Sequence, residues 1–135
     1  MIRFTDARQE RAGLRDKLDL LLGVVATIEV WVGGKLVYRE EMFPIVELRA
    51  ALGTWLGGAF AEGRDFEFQS VESDEEGLIW LRRIDSGWRI GSIHQEFPVL
   101  TELADEEVAG LAHDFIENVD RWVLEHCGIR VSSLL

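Results

Sequence analysis

Two runs of alternating residues meet at Gly33-Gly34, and that junction constrains the fold more than any other feature of the chain. Before it, Leu22, Val24, Ala26, Ile28, Val30 and Val32 fall on one strand face, and Leu21, Val25, Thr27, Glu29 and Trp31 on the other. The β-branched residues of residues 20–32 favour a strand over a helix. After the junction, residues 35–42 alternate Leu36 and Tyr38 against Val37 and Arg39. Two consecutive glycines suit a two-residue hairpin turn, whose central positions both need φ > 0. The chain is thereby committed to antiparallel sheet.

The remaining elements follow from punctuation and period. A short strand is expected at residues 2–4. Pro44 fits the first turn of a helix, where its missing N–H costs nothing. Ile45, Leu48, Leu52, Trp55 and Leu56 share one face of that helix, and Gly57-Gly58 ends it. Strands at residues 65–71, 78–84 and 88–97 are separated by the turns Asp74-Glu75-Glu76-Gly77 and Asp85-Ser86-Gly87, which predicts a meander. A last helix runs from about residue 105 to 126. Its stripe is Val108, Leu111, Ala112, Phe115, Val119, Trp122 and Val123, and Gly128 stops it. The order β-β-α-β-β-β-α predicts an α+β fold. We expect an antiparallel sheet of about five strands with two helices packed on one face. A length of 135 residues predicts a single domain over 1–135.

Charge is segregated along this frame. Residues 1–43 carry seven Lys/Arg and seven Asp/Glu; residues 44–135 carry seven Arg, no Lys and eighteen Asp/Glu, which is the whole net of −11. Such a field repels nucleic acid and anionic membrane and attracts a basic partner. The apolar run at residues 20–28 is too short to span a bilayer. The N-terminal stretch lacks the apolar core of a signal peptide. Cys127 is the single cysteine, so no internal disulfide is expected. A cytoplasmic location follows as the expectation.

The acids concentrate in two stretches. Residues 62–76 hold seven against Arg64, and residues 96–120 hold eight and no Lys or Arg. Solubility alone is one explanation. The other is a docking surface for a basic protein, formed by Glu72, Asp74, Glu75 and Glu76 in the turn and by Asp114, Glu117 and Asp120 on the outer arc of the last helix. Trp80 and Trp88, beside the Asp85-Ser86-Gly87 turn, would supply aromatic anchors on an open sheet face.

A rival reading places His94 and Glu96, two apart on a strand, in a pocket with Arg82, where they could do acid–base work. No metal is expected. The turn at residues 72–77 lacks the alternating ligand order of a calcium loop, and no zinc spacing occurs. No cofactor is expected either, because the glycine pairs lack the spacing and the lysine of a phosphate loop. Cys127 follows a helix C-terminus, whose dipole raises a thiol pKa, so it is no nucleophile. The basic groupings Arg82-Arg83, Arg89 and Arg3, Arg8, Arg11 and Arg15 do not outweigh a pI near 4.6, and nucleic-acid binding is disfavoured.

Three segments, Phe43-Pro44-Ile45-Val46-Glu47-Leu48, Glu72-Ser73-Asp74-Glu75-Glu76-Gly77-Leu78-Ile79-Trp80 and Gly87-Trp88-Arg89-Ile90-Gly91-Ser92, resemble those of small acidic bacterial α+β proteins of the immunity-protein type. The resemblance covers about residues 20–125. It implies a non-catalytic module that binds and blocks a toxin domain, and the acidic surface would suit a basic one. The shared motifs are turns, strand aromatics and a helix start, and they carry no catalytic residue across. Two readings from other classes stand beside it: a small-molecule or enzymatic pocket between sheet and helices, and a homodimer that buries the open sheet face.

Overall fold

The computed structural model describes residues 1–10 and 16–135. In chain order the elements are β1 (Ile2–Gln9), α1 (Lys17–Gly23), β2 (Val24–Val32), β3 (Lys35–Pro44), α2 (Ile45–Leu56), β4 (Phe66–Glu67), β5 (Trp80–Ile84), β6 (Gly87–Gly91) and α3 (Asp105–Cys127). A 3-10 turn at Val131–Ser133 follows. The α+β class holds. The strands form two antiparallel sheets, β1-β2-β3 and β4-β5-β6, and not one sheet of five.

The first sheet grows from the glycine junction. Gly33 and Gly34 take φ of 57° and 78°, and Val32 pairs with Lys35 across the turn. β2 is central and buried along its length except at Glu29 and Trp31, which are half-buried. The N-terminal strand is longer than expected, running to Gln9 against Val24. Bulges interrupt both neighbours of β2; one on β1 falls at Asp6 and one on β3 at Met42, both with positive φ, and a further shift lies between Leu36 and Tyr38. Extra residues of this kind bend a strand and increase its twist.

Residues 20–23, expected in the hairpin strand, belong instead to α1. The Asp16 side chain accepts the Asp19 N–H at 2.9 Å and caps that helix. Leucines, which are not branched at Cβ, lose little freedom in a helix, whereas the valines from Val24 onward prefer a strand. The change of side-chain branching at Gly23-Val24 is the boundary.

α2 begins directly after Pro44 and buries Ile45, Leu48, Leu52 and Trp55 on its inner face. It packs on β2 and α3, while α3 reaches β1 and β6. α3 buries Val108, Ala112, Phe115, Val119 and Val123. Its start is supported by Glu107, whose carboxylate accepts the Ala104 N–H, and its end by Gly128 at φ 68°. Phe115 meets Phe4 of β1 edge to face, with centroids 6.0 Å apart.

The second sheet is much shorter than the expected meander. β4 keeps two residues and β6 stops at Gly91. After Gly91 the chain turns, because the Ser92 N–H donates to Gln95 Oε1 (2.9 Å) and the His94 N–H to Ser92 Oγ (3.1 Å). Local side-chain bonds of this kind compete with the ladder. An aromatic group of Trp55, Phe60, Phe66 and Trp88 ties this sheet to α2. Trp88 also exchanges two backbone hydrogen bonds of 2.8 Å with Leu103. The close approach there requires Gly87, since a Cβ would lie 2.5 Å from the Leu103 carbonyl oxygen. One apolar cluster runs through both sheets and the helices, with Phe43 of β3 packed 5.5 Å from Phe68.

Candidate functional site

Glu47, in the first turn of α2, is buried, and it organises the surface beside it. Its carboxylate accepts the Ser70 hydroxyl at 2.7 Å and the Val71 N–H at 2.8 Å. A buried carboxylate is tolerable when donors satisfy its oxygens. Ser70 Oγ in turn accepts the Glu72 N–H at 3.2 Å. Helix α2 thus anchors the loop that leads into the acidic turn. Gly77, at φ 78°, closes the turn, and its N–H and that of Leu78 both donate to the Phe68 carbonyl.

This anchoring sets the turn opposite β3. Between them lies a hollow of about 240 Å³, lined by Tyr38, Glu40, Glu41, Met42, Phe43 and Pro44 on one side and by Ser70, Glu72, Ser73, Glu75 and His94 on the other. Its floor includes Leu22, Val25 and Leu78. A second hollow of about 230 Å³ continues past Tyr38 and His94 to Glu96 and Phe97. His94 Nε2 stands 2.9 Å from Glu75 Oε2, and its ring stacks over Tyr38 with centroids 6.4 Å apart. The Tyr38 hydroxyl donates to Glu40 at 3.3 Å. Burial, reinforced by the Glu40 and Glu75 charges, pushes the Tyr38 phenol well above its ordinary range. Five carboxylates therefore face one groove. Among the described residues, the single guanidinium in its lining, Arg39, lies 4.0 Å from Glu29 and 3.5 Å from Glu41.

The expected partner-binding residues separate in space. Glu72 and Glu75 line the groove; Asp74 and Glu76 are exposed on the same turn. Asp114 and Glu117 are exposed on α3 and line neither hollow. Asp120 belongs to the helix interface, where Arg49 holds it with two hydrogen bonds of 2.7 and 2.9 Å. Trp88 is fully buried, and its indole donates to Asp105 at 2.8 Å. That bond, with Arg83 at 2.8 Å, holds the Asp105 carboxyl below its usual range. Trp80 is buried against Gly91, with Arg82 stacked 4.1 Å from its ring centroid. Neither tryptophan is an exposed anchor.

Of the rival pocket residues, His94 and Glu96 do meet in the groove, on a turn and not on a strand. Arg82 lies apart, over Trp80 and 3.8 Å from Glu67. Burial pushes the Cys127 thiol up. Arg11 and Arg15 lie outside the described residues. Among the described residues, no group of three or more His, Cys, Asp or Glu is placed to hold a metal ion. Another hollow, of about 790 Å³, opens broadly to solvent between α2 and α3 near Lys17, His113 and Leu135. Its Arg49 is already engaged by Asp120.

Sequence reasoning missed Tyr38, Glu40, Glu41 and Glu47 as contributors. Adjacent Glu40 and Glu41 late in a strand were a usable signal. Glu47 gave none, because an acid in a first helical turn is ordinary.

A family model described as Domain of unknown function (DUF7878) matches residues 1–125. No curated protein and no solved structure matches the chain.

Proposed function

We propose that this chain, which belongs to the DUF7878 family of unknown function, is a non-catalytic protein-binding module that takes a basic partner on its acidic surface. The observation that carries the reading is the convergence of Glu40, Glu41, Glu72, Glu75 and Glu96 on one groove from three separate segments. Scattered acids would serve solubility alone. Gathered ones make a field that steers and orients a cationic surface. Apolar floor residues such as Leu78 give the stems of Lys and Arg something to cover.

The resemblance to immunity-type proteins narrows the partner to a basic toxin domain, met in the cytoplasm. Nucleases hold phosphates with cationic grooves, and an acidic inhibitor can occupy such a groove. Among the described residues, no helix is long and apolar enough to cross a membrane. The small-molecule reading keeps one supporting observation, the His94–Glu75 pair beside Tyr38. Those groups are open to solvent at His94 and Glu75, which suits surface recognition better than an enclosed reaction.

The test is affinity capture from the native cell at low salt with three baits. They are the natural chain, a variant reversed to Lys at Glu72, Asp74, Glu75 and Glu76, and one reversed at Asp114 and Glu117. Identified partners should be strongly basic, be lost from the turn variant, and persist with the helix variant. Partners that bind all three baits equally would remove the assignment.

A further inference from the structure

The groove opens onto the edge of a strand. Residues 36–40 line one hollow consecutively and residues 40–44 the next. β3 carries register shifts between Leu36 and Tyr38 and between Glu40 and Phe43, so its successive residues do not strictly alternate, and the hollows follow the strand along its length. That edge is unpaired. β3 is the outer strand of its sheet, and among the described residues its backbone hydrogen bonds go to β2 alone. The hollows share Tyr38, Glu40 and His94, and a third, of about 160 Å³, shares Val37 and Phe97 and extends past Lys35. The three hollows lie in a row beside β3, with the Tyr38–His94 ring contact between the first two.

We infer that β3 accepts an extended, basic segment of the partner as an added strand, with the segment's Lys or Arg side chains reaching the acids of the facing wall. The inference rests on the acidic-surface reading and adds to it the mode of docking. Main-chain hydrogen bonds give a strand addition its affinity, and alternate side chains give it specificity. Charge selects the occupant. Glu72, Glu75 and Glu96 on the far wall, with Glu40 and Glu41 on the strand, oppose an acidic or neutral segment and favour a cationic one. A second copy of this chain brings a net charge of −11 to the same edge and is disfavoured by repulsion.

The experiment uses the full chain and two peptides of alternating Lys and Val, one unmodified and one N-methylated at every residue. Charge is the same, but the second cannot donate backbone hydrogen bonds. The unmodified peptide should bind at low salt, slow amide exchange at least tenfold within residues 36–42, and outbind the methylated one at least tenfold. A triple variant, Glu40→Gln, Glu72→Gln and Glu75→Gln, should weaken it about tenfold. Equal affinity of the two peptides without protection of β3 overturns strand addition and leaves the acidic surface standing. Failure of both peptides to bind counts against the acidic surface as well. Affinity unchanged by the triple variant places the peptide elsewhere and overturns the inference. Light scattering on the free chain completes the test: a dimer with β3 amides already protected assigns the edge to a second copy instead.

Discussion

The two sheets have the same number of strands and are held by different means. The first has strands of eight, nine and ten residues, the central one buried on both faces except at the half-buried Glu29 and Trp31. Its stability comes from a long ladder and from aliphatic side chains that could exchange identity with little consequence. The second has strands of two, five and five residues. Too short to stand alone, it depends on individual groups: the Trp88 ring, the Glu47 carboxylate and the bare Cα of Gly87. The groove lies along the boundary, with the outer strand of the long ladder for one wall and turns held by side chains for the other. A groove of this kind sets specific groups on a rigid frame, because the ladder fixes the position of the loops that face it.

Removing the centre of the second sheet is the strongest way to test this contrast. Trp88→Ala should cost about 3–5 kcal/mol in denaturant unfolding, as truncation of a buried aromatic does. Amide exchange should accelerate in β5 and β6 well before β2. Equal acceleration in both sheets would erase the distinction. Next comes Glu47→Ala, which strands the Ser70 hydroxyl and the Val71 N–H without their acceptor. We expect a loss of about 2–3 kcal/mol, with exchange at Val71 and Glu72 rising most. Glu47→Gln, which keeps an acceptor, should lose less.

Glycines sharpen the same comparison. Gly87→Ala pushes a Cβ onto the Leu103 carbonyl and should destabilise by about 1–3 kcal/mol. Gly110→Ala, on the open side of α3 where nothing lies within 4 Å, should stabilise by up to about 1 kcal/mol. Thermal unfolding of the two variants would show opposite shifts. Shifts of the same sign would remove packing at Gly87 as a cause.

The smallest effect is read at the groove, by pH. Tyr38 is the single tyrosine of the chain, and its phenol is pushed up by burial. The unfolded phenol titrates near 10, so the unfolded state releases its proton first as pH rises. Stability from Tyr38 is therefore complete below about pH 10 and is lost above it. Phenolate absorbance of the folded chain should stay absent at pH 10 and appear only at more alkaline pH or on unfolding. Tyr38→Phe should flatten the alkaline fall in stability. A folded-state transition near the ordinary value would show that the phenol is not buried beside Glu40.

Much of the architecture follows from the order of residues alone. The Gly33-Gly34 hairpin, α2 after Pro44 and α3 up to Gly128 rest on local rules, since glycine, proline and period act within a few residues of themselves. The α1–β2 boundary was also written locally, in Asp16 and in the change from leucines to valines, but continuous hydrophobicity masks it. The lengths of β4 and β6 were not legible. They are set by side chains that compete with the ladder, and by Glu47, which is 23 residues from Ser70 in sequence.

The site divides in the same way. Composition by itself determined that the chain is acidic and where along its length the excess lies. Only the tertiary structure decided that Glu40 and Glu41 join Glu72, Glu75 and Glu96, that Asp120 is used by Arg49, and that Trp80 and Trp88 are buried. Charge is a property of each residue and survives any fold. Convergence is a property of contacts between distant segments, and those exist only once a buried carboxylate and a ring of aromatics have fixed the loops in place.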